Sequence, residues 1–169
     1  MIIRKTRPED VDAVVALIEI TRENFRIEGI PQWQGEYPNR EVILADMERG
    51  ESYVCDMDGV VCGFCAIVSG VEIDYVCIYE GKWRNDREYV ALHRVAVHPD
   101  AKGKGVGAAF VSKAVELATE SGLRDVKCDT HEVNRNMRRM LEKNGFEYCG
   151  VIYLSSDGSP RVAYQKCID

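Results

Sequence analysis

The sequence predicts a mixed α/β domain whose strands pair mostly antiparallel. Three observations carry that reading. Short runs rich in Val, Ile, Tyr and Cys recur along the chain, with the length and composition of strands. Asp58-Gly59 separates two of them, a strong hairpin signal. From Tyr89 to Thr130 strand, glycine-rich turn, helix and strand follow one another, the order of a crossover.

Met1 to Thr6 alternates weakly and is expected to be a first strand. Pro8, Glu9 and Asp10 mark a helix start, with proline in the first turn and acids at the positive end of the dipole. Val11, Val14, Val15 and Ile18 follow at helical spacing and predict one buried stripe to about Phe25. Residues 29–38 hold too much glycine and proline for regular structure and carry Trp33 and Tyr37, aromatics that either wall a pocket or pin the loop to the core. Asn39 caps a short helix ending at Gly50. Ser52 to Met57 and Val60 to Val68 form the hairpin.

Ile73 to Tyr79 reads as a further strand, followed by a polar excursion from Glu80 to Arg87. Tyr89 to Val97 is the next strand, ended by His98-Pro99-Asp100-Ala101, since proline cannot carry a central ladder. Lys102-Gly103-Lys104-Gly105-Val106-Gly107 then opens a helix with Val106, Phe110, Ala114 and Leu117 on its apolar face, closing near Ser121-Gly122. Asp125 to Thr130 is a strand. Asn134 caps a helix bearing Met137, Met140 and Leu141 and stopped by Asn144-Gly145. Tyr148 to Leu154 and Val162 to Cys167 end the chain as strands around Asp157-Gly158-Ser159-Pro160. No repeat, low-complexity tract or linker interrupts residues 1–169, so a single domain is expected.

Composition narrows the partners. Lys and Arg number 22 against 28 Asp and Glu, a net charge of −6 over 169 residues. A protein that neutralised a nucleic-acid backbone would be basic, so nucleic acid is not an expected partner. No signal peptide is expected, because Met1 to Thr6 opens no long apolar core with a small-residue cleavage site after it, and no membrane partner, because the longest near-apolar run, Val60 to Val71, falls short of the roughly 20 residues that a span needs. Seven scattered cysteines (55, 62, 65, 77, 128, 149 and 167) fit reduced thiols in a cytoplasmic protein rather than a disulfide framework. Cys62-Gly63-Phe64-Cys65 is a lone pair without a second, and no metal is expected.

The glycine-rich turn points to a ligand. Where such a turn runs into a helix N-terminus, unpartnered amides face outward, the macrodipole is positive, and glycine lets an anion approach the main chain. Lys102 and Lys104 add charge there. The expected ligand carries phosphates.

These residues resemble the acetyl-CoA loop of the GNAT N-acetyltransferase superfamily: a hydrophobic strand, V-x-P, then K-G-K-G-V-G opening a helix. The family's pattern is Gln or Arg, two residues, Gly, one residue, then Gly or Ala. Lys102, Gly105 and Gly107 occupy those places, with lysine a departure at the first. Asn134, Met137, Leu141, Glu142, Lys143, Gly145 and Phe146 resemble the second signature, N-x-x-A-x-x-L-Y-E-K-x-G-F. The order of elements matches the family's β1-α1-α2-β2-β3-β4-α3-β5-α4-β6-β7. The resemblance implies the GNAT fold, a mostly antiparallel sheet of about seven strands with four helices, splayed at the acetyl-CoA site.

It also implies transfer of an acetyl group from acetyl-CoA, a cosubstrate, to a primary amine of a small molecule or a protein by direct attack. Amides from Gly103 through Ala108, including those of Lys104, Gly105, Val106 and Gly107, would hold the diphosphate. A main-chain N–H of the central strand near Val95, within Val95-Ala96-Val97, would polarise the thioester carbonyl. Asn134, Met137 and Lys143 would contact the coenzyme. His93, where family members often carry glutamate, is the first candidate base and His131 the second; a lone histidine in a sheet is also a common structural residue. Leu141 stands where the family often has its acidic tyrosine, so another group protonates the thiolate or it leaves unassisted. The acceptor side implicates Trp33, Tyr37 and Trp83, with Glu28 or Glu36 as cation partners. The family often forms homodimers.

Two other readings fit parts of the sequence. Gly103-x-Gly105-x-x-Ala108 matches a dinucleotide fingerprint, with Asp129 as ribose partner, but five residues separate strand from glycine where that fold turns at once. A non-catalytic acyl-CoA sensor or interaction module would explain Leu141.

Overall fold

Asp58 and Gly59 take positive φ angles of 54° and 86° and close an antiparallel hairpin in the computed structural model, which describes residues 1–169. The strands are β1 (Ile2–Lys5), β2 (Ser52–Met57), β3 (Val60–Ser69), β4 (Val90–Val97), β5 (Asp125–Thr130), β6 (Glu147–Tyr153) and β7 (Pro160–Cys167). The helices are α1 (Val11–Ile27), α2 (Arg40–Glu48), α3 (Val106–Glu120) and α4 (Arg135–Lys143). One seven-stranded sheet has the order β1-β2-β3-β4-β5-β7-β6. The pairs β1–β2, β2–β3, β5–β7 and β6–β7 are antiparallel. β4 and β5 are parallel, which requires a crossover, and α3 supplies it. Their register covers Val90↔Val126 and Ala91↔Lys127, the first two residues of β4. This is the mixed, mostly antiparallel sheet with four helices that the sequence implies.

The chain forms two compact units. The first comprises Met1–Ile67 with His93–Phe110. Its core joins Val14, Leu17 and Ile18 of α1, Ile43 of α2, Val54, Phe64 and Ala96. Val15, expected on the buried stripe, is only partly covered, and Leu17 and Thr21 complete the buried face. The helical start at Pro8 is a 3-10 turn over Pro8–Asp10, because Asp10 folds back to accept from the Arg7 amide at 2.8 Å and from Arg4. Arg4 also grips Asp56, tying β1 and β2 to the start of α1. Asn39 caps α2 by accepting from the Val42 amide at 3.1 Å, as its side-chain type predicts. Gly63 gives α3 its seat: a Cβ there would lie 2.7 Å from Val106 Cγ1 and 3.1 Å from the Phe110 ring.

The second unit comprises Val68–Leu92 with Val111–Asp169. Tyr75, Ala91, Ile152 and Ala163 form a core with Trp83 and Tyr89 packed against it. The expected strand over Ile73 to Tyr79 is not formed. Ile73–Tyr75 is a 3-10 turn, and only Tyr79 pairs, in an isolated bridge to Val151. The turn buries the Tyr75 ring and lets Asp74 accept from the Ser155 amide at 2.8 Å, leaving Val71, Ile73 and Val76 exposed. Apolar composition there reads as strand, but tertiary contacts made by Tyr75 and Asp74 override it.

Candidate active site

In the first unit the end of β4 passes into α3 through two turns. The His98 amide donates to the Cys62 carbonyl at 2.9 Å, fixing the strand end against β3. Pro99–Ala101 is a 3-10 turn, and the amides of Lys102 and Lys104 donate to the carbonyls of Pro99 and Ala101 at 3.1 and 3.2 Å. The Lys104 amide, one of those expected to face a phosphate, is therefore spent inside the turn. Gly103 and Gly105 have φ of 78° and 84°, and an added Cβ at either meets nothing within 4 Å. Glycine is required there for the left-handed backbone and not for space. Ala109 makes the first helical bond, to the Gly105 carbonyl at 3.0 Å, so Val106, Gly107 and Ala108 occupy the first turn of α3, whose amides have no intrahelical acceptor. The side chains of Lys102 and Lys104 are exposed beside them, with the Lys102 ammonium 3.9 Å from the Glu28 carboxylate. This is an anion cradle with two cations at its rim.

Within β4, Arg94 has φ of 55°, a left-handed conformation in mid-strand that interrupts the pleat. His93 precedes it and is half-buried; Val95 and Val97 follow half-buried, with Ala96 between them in the core. The Arg94 side chain, 13% exposed, holds a fully buried carboxylate: Nε and Nη2 donate to Asp46 of α2 at 2.8 and 2.9 Å. Burial raises the Asp46 carboxyl above its ordinary value, opposed by Arg94 and by Arg49, which is 2.7 Å away. Burial works to lower the Arg94 guanidinium, and the oxygens of Tyr37 and Asp46 outweigh it. The third contact of Arg94 is Nη1 to the Tyr37 hydroxyl at 2.9 Å.

Tyr37 thus belongs to a clamped loop. Arg22 of α1 donates to the carbonyls of Trp33 and Pro38 at 2.7 and 2.8 Å, and the Trp33 ring lies 5.5 Å from that of Phe25 and packs on the unit's core. Of the two alternatives for the loop aromatics, Trp33 is seated as a pin, while Tyr37 is half-exposed with only its hydroxyl tethered.

The second unit holds the remaining candidates. Asn134 is buried and caps α4 by accepting from the Met137 amide at 3.2 Å. Met137 is half-buried in the first helical turn, and Lys143 is exposed in the last. The His131 Nδ1 accepts from the Val133 amide at 3.3 Å and its carbonyl accepts from Asn134, so the ring sits in the turn that leads into α4. Burial, and next Arg161, hold its imidazole below the ordinary histidine value. Leu141 is fully buried. Trp83 donates its indole N–H to the Tyr75 carbonyl at 2.9 Å, and the Lys127 ammonium covers its ring at 4.0 Å. That indole is built into the core around Tyr75, whose hydroxyl donates to Asp129 at 2.6 Å.

Comparison with known proteins decides the family. The profile described as the Acetyltransferase (GNAT) family matches residues 14–146, most of the chain. The chain belongs to the GNAT acetyltransferase family. Among solved structures, a GNAT-family acetyltransferase from Streptococcus agalactiae is 38% identical to this GNAT chain, with a TM-score of 0.89 over 99% of this chain and 95% of that one. The yncA structure from Salmonella typhimurium, solved with its cofactor acetyl-CoA, shares the fold at 18% identity, with a TM-score of 0.68 over 99% of this chain and 94% of that one. An uncharacterized N-acetyltransferase of Methanocaldococcus jannaschii is 30% identical over 107 residues. That match takes in 60% of this chain and 42% of the relative, so the chain spans less than half the length of the curated relative it matches.

Two paired charges of the first unit escaped the sequence reading, Arg94 and Asp46. Both carried a signal. Arg94 is the one charged side chain, beside His93, in a strand otherwise of Val, Ala and Leu, and Asp46 falls three residues after Ile43 on the buried side of α2. Opposite charges at two positions patterned for burial must find each other or be neutralised.

Proposed function

We propose that this chain, as one domain spanning residues 1–169, transfers the acetyl group of acetyl-CoA to the primary amine of a small molecule by direct attack. The observation that carries this reading is the Gly103–Gly105 turn, whose left-handed glycines set the first-turn amides of α3 directly after β4. The amides of Val106, Gly107 and Ala108 hold the diphosphate, with Lys102 and Lys104 beside it. The Val95 amide follows the left-handed Arg94 and polarises the thioester carbonyl, with Ala96 and Val97 lining the strand. Asn134, Met137 and Lys143 contact the coenzyme along α4, in keeping with the second signature. His93 takes the proton of the ammonium. His131 is the weaker base, because its Nδ1 is committed to the Val133 amide. With leucine at 141 the thiolate leaves unassisted, coenzyme A being a tolerable leaving group. Tyr37 walls the acceptor side, on the loop that Trp33 pins to the core.

Seven free cysteines, five of them buried, support a reducing, cytoplasmic setting, and a homodimer is the assembly proposed. No helix is long and apolar enough to cross a membrane.

The test is thermal stability against acetyl-CoA, coenzyme A and NADH in parallel, then an amine panel read by thiol release. A ligand at a hundred times its Kd adds about 2.7 kcal/mol to stability. Shifts with both coenzyme A species and none with NADH are expected. A shift with NADH alone replaces this reading by a dinucleotide site. Coenzyme binding without turnover of any amine leaves a sensor. His93→Ala is expected to lower turnover with coenzyme binding intact; an unchanged rate removes His93 from the chemistry.

A further inference from the structure

The tether between Arg94 and Tyr37 constrains what the exposed end of that tyrosine can recognise. A phenol that accepts from a guanidinium keeps its own hydrogen to give away, so the half-exposed Tyr37 hydroxyl presents a donor. Of the five N–H groups of Arg94, one goes to Tyr37 and two to Asp46, leaving two more donors on the same fork. With its oxygen accepting from Arg94 at 2.9 Å the hydroxyl offers its hydrogen, which an ammonium has no lone pair to accept, so the amine of an acceptor does not sit there. What fits is an oxygen with lone pairs.

Charge narrows the class. Asp46 offsets Arg94, and Glu51, 2.6 Å from Arg49, offsets the second arginine of the cluster. The cluster has no surplus positive charge with which to hold a dianion, while donors on a compensated fork suit a singly charged oxygen group. We propose that Tyr37, oriented by Arg94, reads a carboxylate on the acceptor, so that the substrates are amines that also carry a carboxylate. This rests on the acetyl-transfer reading above. It assigns Tyr37 a specificity role and makes Arg94 a positioning residue acting through it.

The loop does not depend on this contact for its place, since Arg22 holds it at the Trp33 and Pro38 carbonyls. Tyr37→Phe therefore removes the hydroxyl and leaves the clamp. The experiment measures kcat/KM by thiol release for matched amines, phenylalanine with phenethylamine, arginine with agmatine, and β-alanine with phosphoethanolamine. Binding of acetyl-CoA is followed separately by thermal shift. Expected in the wild type is a preference for the carboxylate-bearing member of each pair. In Tyr37→Phe that preference collapses by about tenfold, through KM more than kcat. Arg94→Lys, which keeps the charge but loses the fork, is expected to retain part of the preference. A preference for agmatine, phenethylamine or phosphoethanolamine overturns the proposal. So does a Tyr37→Phe enzyme that slows both members of each pair equally, or acetyl-CoA binding with no turnover of any carboxylate-bearing amine. Absence of acetyl-CoA binding overturns the underlying reading instead.

Discussion

Replacing Asp46 by alanine removes the partner of Arg94 without touching β4. Asp46 is fully buried, and the Arg94 side chain is 13% exposed and accepted twice by its carboxylate, at 2.8 and 2.9 Å. Breaking such a pair from one side leaves a charge in a low-dielectric setting and costs about 3–5 kcal/mol. The other arginine contributes little to that sum: Arg49 is half-exposed and has Glu51 as a second partner, and surface pairs are worth about 0–1 kcal/mol. At about 2–4 °C per kcal/mol for a domain of this size, the midpoint of Asp46→Ala is expected to fall by roughly 6–20 °C. The double variant Asp46→Leu with Arg94→Met removes both charges and keeps the volume, so it recovers most of that loss; the left-handed backbone at residue 94 is strained alike for arginine and methionine. Equilibrium urea unfolding, followed by far-UV circular dichroism, measures both variants and each single change. A cost below about 1 kcal/mol for Asp46→Ala refutes the reasoning. Strict additivity in the double variant refutes it equally, since contacting residues must couple.

Three further outcomes follow from the same geometry. Gly105→Ala keeps open space around its new methyl but forces a φ of 84° on an L-residue, so about 1–2 kcal/mol of stability is lost and acetyl-CoA affinity, read by calorimetric titration, falls with it. Lost stability with unchanged affinity would put the diphosphate elsewhere. Gly63→Ala pushes a methyl into Val106 and Phe110 at the base of α3 and is expected to cost about 1–3 kcal/mol; an unchanged unfolding midpoint would mean that α3 is not seated there. The third concerns pH. Burial keeps the His131 imidazole below its unfolded value of about 6.5, so on acidification the unfolded chain takes up the proton first, and stability falls as pH drops from about 7 through 6.5. His131→Gln removes that part of the slope in urea midpoints measured at about pH 7.5, 6.5 and 5.5. Equal slopes in the two proteins would contradict a lowered imidazole.

The sequence by itself determined whatever is decided between near neighbours. Asp58-Gly59 closes the β2–β3 hairpin because those residues tolerate positive φ. Asn39 and Asn134 cap α2 and α4 through amides three residues on. The strand, turn and helix around Gly103 and Gly105 were legible for the same reason, and with them the family. Tertiary structure decided what depends on distant partners. Ile73 to Tyr79 has the composition of a strand, yet Asp74 answers to Ser155 and Tyr75 to Asp129, and the segment turns. The sequence names His131 as the second candidate base, and the turn into α4 brings its Nδ1 to the Val133 amide. Arg94 and Asp46 lie 48 positions apart. No periodicity spans that interval. Each alone is a charge in an apolar pattern, and only the packing of α2 against β4 makes them a pair and turns Arg94 toward the Tyr37 hydroxyl.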